Sequence, residues 1–193
     1  MPSKADEKRM PSRRPFTACG GRTTRRFAEM NTSRGEFMGA VMSFTKVGPA
    51  DLERLTQDRE WAERFVEQAH TPDTEPTGYL DKSWAGLRYL FEAARTGVDL
   101  FFTGRPLDIE TKGYSTWTPE DVSYTAELLR ALPFEKLADH YDPQRMDDTL
   151  VYPHVWVRDG DDGLRTLNYH YAQLVRVFDF ADRHGSGFIQ SFS

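Results

Sequence analysis

Five histidines, one cysteine and 30 acidic residues are the raw material for chemistry in this chain of 193 residues. No two of His70, His140, His154, His170 and His184 stand three or four residues apart. That is the spacing that sets two ligands on one helix face. Cys19 has no second thiol to pair with and suits a reducing compartment, so a cytoplasmic location is expected. The glycine-rich phosphate loop, the dinucleotide fingerprint, the paired-histidine zinc motif and the nucleophile elbow are all missing from the sequence. The run Asp159-Gly160-Asp161-Asp162-Gly163 invites a calcium loop, but its twelfth position is His170 where a bidentate glutamate is needed. It reads instead as a solvated turn. No metal and no cofactor is therefore expected.

Two clusters could still form a ligand site. In the first, Asp81 and Lys82 could supply charge beside the indole of Trp84. In the second, Tyr152, His154 and Trp156 sit within five residues, and Tyr114 marks the tip of a glycine-led loop. Each has a plainer reading. Asp81 suits the cap of a following helix, Trp84 suits its buried stripe, and His154 suits a loop position making one hydrogen bond.

The elements that must position these residues follow from periodicity. Residues 40–47 are apolar and partly β-branched, as a buried strand requires, and Gly48-Pro49 ends them and opens a helix. A second helix is expected over 58–68 with Trp61, Phe65 and Val66 as its stripe, and a third over 82–95. Residues 98–102 form a short apolar run expected as a strand, and 103–117 carry little regular pattern. Thr118-Pro119-Glu120-Asp121 is a strong helix start, and Pro133 breaks that helix before a short successor. Leu164, Leu167, Tyr171, Leu174, Phe178 and Ala181 alternate by three and four, predicting a long helix closed by Gly185, with a last strand over 188–192. The order predicts a single α+β domain over 38–193, about five helices packed on a small mixed sheet of short strands.

Charge divides the chain in two. Residues 1–37 hold nine of the 25 basic residues and four of the 30 acids. The remaining 16 bases and 26 acids give the rest a net charge of −10. The basic piece has too few apolar residues to offset its ordering entropy and is expected to be disordered. Its Arg13-Arg14 pair is not followed by the apolar segment that export requires. Translation starting at Met38 would place it upstream of the true protein. No apolar run approaches the roughly 20 residues of a spanning helix.

Several segments taken in order resemble the YfbM-like family of small bacterial proteins, which carries a domain of unknown function, number 1877. The carriers are Met38-Gly39, Tyr79-Leu80-Asp81-Lys82-Ser83-Trp84 with Leu87, Tyr89 and Leu90, and Gly113-Tyr114. Thr118 to Val122, Tyr141-Asp142-Pro143, Met146, Tyr152-Pro153, Trp156, Ala181 and Gly185 complete the set. Family members often have a histidine where this chain has Ala85, and a Gly-Gly turn where it has Gly104-Arg105. The resemblance implies a mixed α/β cytoplasmic protein and implies no reaction.

Two functions fit these observations. The first is a non-enzymatic binding protein whose acidic surface meets a basic protein partner, as an antitoxin or immunity protein does; such a surface disfavours nucleic acid, and no membrane partner is expected. The second is an enzyme acting on a small molecule in a pocket walled by Trp84, Tyr114, Tyr152, Trp156 and His154, with Asp81 and Lys82 supplying charge.

Overall fold

The computed structural model describes residues 39–111 and 113–193. The disordered leader expected over 1–37, and the start at Met38, lie outside the described residues. Strand β1 (Met42–Val47) is followed by helices α1 (Pro49–Gln57), α2 (Arg59–Gln68) and α3 (Ser83–Ala93). Strands β2 (Arg105–Pro106) and β3 (Tyr114–Trp117) come next. Then come α4 (Pro119–Arg130), α5 (Phe134–Ala138), α6 (Pro143–Asp148), α7 (Trp156–Arg183) and strand β4 (Gly187–Phe192).

The strands lie in the order β1-β4-β3-β2, every neighbour antiparallel, with Phe44 opposite Gln190 and Thr116 opposite Ile189. The α+β class is thus as expected, but the sheet is antiparallel where a mixed one was expected, because each neighbour runs against the next. Alternation sends side chains to two faces. Phe44, Trp117 and Phe188 join Phe178 of α7 in a set of edge-on ring contacts at 4.9–5.5 Å, in the larger core with α3 and α4. Val47, Tyr114 and Ile189 face α1 and α2 in a smaller cluster with Leu52, Leu55 and Val66.

Gln190 crosses the larger core and is fully satisfied. It accepts from the Trp117 indole at 2.9 Å and donates to the Leu100 carbonyl at 2.7 Å. That last bond explains why residues 98–102 are not the expected strand. Asp99 also accepts from the amides of Phe101 and Phe102, which curls the run into a turn while Val98 and Leu100 stay buried.

Seven helices stand among the described residues where about five were expected. One of the extra helices is α6, whose first turn is capped by Asp142 accepting from the Arg145 amide at 3.0 Å, with Pro143 at its first position. The α4 start carries a full capping box between Thr118 and Asp121. No helix among the described residues is long and apolar enough to cross a membrane.

Candidate functional site

Seven acids stand against two arginines between Asp139 and Asp162, so this segment carries half the net charge of the region beyond residue 37. It comprises the residues that follow α5, all of α6, the connection, and the first turns of α7. Its centre is Asp147, a half-buried residue whose carboxylate accepts from the amides of Trp156 at 3.2 Å and Val157 at 2.9 Å. Those amides open α7 and have no partner within their own helix, and a negative group there is favoured by the helix dipole. Helix α6 therefore caps α7 across nine residues of chain.

Trp156 locks the joint. Its ring is 4% exposed, its indole N–H donates to the Val151 carbonyl at 2.8 Å, and its edge lies against Gly86 of α3. A Cβ at position 86 would overlap that ring and stand 2.7 Å from Leu167. Tyr141 packs edge-on at 6.5 Å and donates its hydroxyl to the Gly160 carbonyl at 2.7 Å. Burial, reinforced by the charges of Asp159, Asp147 and Asp161, pushes the Tyr141 phenol above its ordinary range and keeps it a donor.

Gly160 has φ 47° and ψ −121°, a conformation for which glycine is suited, and it breaks α7 after its first turn. The Asp159–Gly163 run, expected to be a turn ahead of the long helix, is thus a break inside it. Residues on both sides are helical because Asp147 caps the first piece from outside.

Helix α6 ends in a glycine-type stop without a glycine. The Val151 amide reaches back to the Met146 carbonyl at 2.8 Å and the Leu150 amide to that of Asp147 at 3.0 Å. This paired pattern demands a left-handed residue, and Leu150 fills it with φ 59°. Leu150 is 58% exposed, and Val157 in the first turn of α7 is 52% exposed. In the same segment Asp139, Asp142, Asp148 and Asp161 are exposed and enter no ion pair among the described residues, although Asp142 caps α6 and Asp148 accepts from the Gln144 side-chain amide at 2.9 Å. Asp159 pairs with Arg158 at 2.7 Å, which holds its carboxyl below the usual carboxylate range, and Asp162 pairs with Arg165.

The residues singled out from sequence are distributed over the fold. Trp84 and Tyr152 stack at 5.8 Å and 19°. The Trp84 indole donates to the Ala40 carbonyl at 3.0 Å, and the Tyr152 hydroxyl accepts from the Gly39 amide at 3.0 Å. Both rings therefore pin the chain where β1 begins. Trp156 belongs to the same core, and His154 is exposed on the connection with φ 63°. Tyr114 lies across the sheet, in the cluster with α1 and α2. Lys82 is exposed at the head of α3.

Asp81 is not the helix cap expected. Its φ is 47°, α3 begins after Lys82 with no side-chain cap, and the Asp81 carbonyl accepts from the Met42 amide beside β1 at 3.4 Å. Its carboxylate accepts from the Tyr79 hydroxyl at 3.4 Å. Nearby, His170 Nδ1 lies 3.3 Å from the Tyr79 carbonyl, which only accepts, so Nδ1 carries the proton. Burial lowers the His170 pKa, opposed by that hydrogen bond and by Asp81. Among the described residues no three His, Cys, Asp or Glu side chains are placed to hold a metal ion.

A family described as a domain of unknown function, DUF1877, matches residues 38–191. The chain belongs to this family. Among solved structures, that of YfbM from Escherichia coli, a protein of unknown function, has a TM-score of 0.57 and 13% sequence identity. The likeness covers 79% of this chain and 99% of that one, and it is a likeness of fold. No curated protein matches. In this DUF1877 domain, Asp147, Leu150 and Val157 escaped the sequence reading. The density of acids around Asp142-Pro143 was the available signal, because an Asp-Pro pair marks a helix start.

Proposed function

We propose that this DUF1877 protein is a non-enzymatic binding protein that engages a basic protein partner, through charge, in the cytoplasm. The observation that carries the reading is the concentration of exposed carboxylates at Asp139, Asp142, Asp148 and Asp161, which enter no ion pair among the described residues, in a segment where Asp147 of α6 caps α7. Acids held on such a frame steer a cationic partner and discriminate against nucleic acid.

Capture on the immobilised full chain tests it. At about 50 mM salt the chain should retain proteins of high isoelectric point and release them at about 300 mM, since screening weakens contacts between exposed charges. The variant with Asp139, Asp142, Asp148 and Asp161 all changed to Asn should lose them. Retention of only neutral or acidic proteins, or retention unaffected by those four changes, contradicts the proposal.

The second reading, a small-molecule enzyme, is favoured by one cluster: left-handed Asp81 beside His170, whose free Nε2 in the neutral ring would be a base. Ligands raising the melting temperature of the native protein but not of His170→Asn would support it; equal shifts in both would count against it.

A further inference from the structure

The four acids without an ion pair among the described residues say what charge a partner should carry; two exposed apolar residues of the same segment say what shape its contact should have. Leu150 occupies the one position of the α6 stop where glycine is ordinarily found, and it is more than half exposed. A left-handed leucine is unfavourable relative to glycine, and little of this one's apolar surface is recovered by burial. Val157 stands exposed on the first turn of α7, and its amide and that of Leu150 both bond to Asp147, one to the carboxylate and one to the carbonyl. The backbones that carry these two exposed side chains therefore meet at one residue. Asp142 caps the start of α6, Asp148 ends it, and Asp161 follows the break in α7.

We infer that Leu150 and Val157 form the centre of a docking face for an amphipathic, lysine- or arginine-rich segment of a protein partner. The segment's apolar side chains would cover Leu150 and Val157, and its cations would meet Asp142, Asp148 and Asp161. This inference rests on the basic-partner reading and adds to it a place and an apolar contact. Interfaces of this kind have a dry apolar centre and a charged rim, the centre setting the off-rate and the rim the on-rate. The frame is suited to the task, because Asp147 ties α6 to α7 and Trp156 anchors both to α3, so the face needs little ordering when a partner arrives.

The test titrates the isotope-labelled full chain with a helical leucine–lysine peptide at low salt and follows the amide resonances. The expected result is binding with shifts concentrated on residues 142–161. Leu150→Asn should weaken it about fivefold, the share of apolar contact a half-exposed leucine could bury. Asparagine tolerates the left-handed conformation, so this variant keeps the fold, and Val157→Ser provides a second probe of the same contact. Tyr124→Ser, on the exposed face of α4, should leave affinity unchanged. Binding whose shifts fall elsewhere, or that neither Leu150→Asn nor Val157→Ser weakens, overturns the docking face and leaves the basic-partner reading standing. Failure of the peptide to bind at low salt overturns both.

Discussion

Replacing Asp147 by alanine isolates the joint on which the account depends. The carboxylate accepts from two amides, at 3.2 and 2.9 Å, that open α7 and have no other partner there. Removing a helix cap costs about 0.5–2 kcal/mol, and a charged, half-buried acceptor serving two donors belongs near the upper end. The expected loss is about 2 kcal/mol, which in a domain of this size lowers the melting temperature by about 4–8 °C. Asp147→Asn keeps one acceptor oxygen and should lose about half as much. Thermal and urea unfolding measure both losses, and hydrogen exchange locates them, since the Trp156 and Val157 amides should exchange faster in Asp147→Ala. If Asp147→Ala melts with the native protein, or Asp147→Asn is as damaging, the cap across α6 and α7 is not what holds this region.

Other substitutions probe the surrounding structure. Gly86→Ala should cost about 1–2 kcal/mol in urea unfolding, because the added methyl overlaps a Trp156 ring tied down by its own hydrogen bond, outweighing alanine's helix preference. Gly160→Ala meets no neighbour within 4 Å, so any loss, expected at about 1–3 kcal/mol, comes from φ and ψ alone. Tyr171 provides a pH test: burial, with a smaller contribution from Glu135, pushes its phenol from 10.0 up to about 12. Below pH 10 the phenol keeps its proton in the folded and unfolded chain alike, and its contribution is complete. As pH rises toward 12 only the unfolded chain releases the proton, so stability should fall across that window, and Tyr171→Phe should flatten the fall.

Where a segment's own residues satisfied its backbone, it was legible in the sequence. The α4 start, with Thr118 and Asp121 capping each other, and the stripe of α7 beyond Leu164 needed nothing from elsewhere in the chain. Strand β3 was missed because four residues, Tyr114–Trp117, offer too short an alternation, and their partners in β4 lie some seventy positions away. Asp81 was misread because an aspartate ahead of a helix looks like a cap. Only the pairing of its carbonyl with Met42 requires the left-handed turn. Similarly, Leu164 looked like the first residue of α7 because the cap that moves the start to Trp156 comes from Asp147 on another helix.

The candidate face was less legible than the fold. The clustering of acids was visible as composition, yet their exposure, and their lack of ion pairs among the described residues, are a matter of how the folded segments meet. Leu150 was invisible as a surface group, since a leucine just past a helix is ordinarily expected to face the core. The aromatics that drew attention, Trp84, Tyr152 and Trp156, serve packing here, each with its polar atom bonded to backbone.

Zero-length carbodiimide coupling joins a carboxylate to a lysine only where the two touch, so it tests the partner-binding claim at the level of single residues. Applied to the full chain with the protein it retains at low salt, it should yield links on Asp142, Asp148 and Asp161. Links confined to the acids of α1 and α2, such as Asp51, Glu53 and Glu67, would contradict the account.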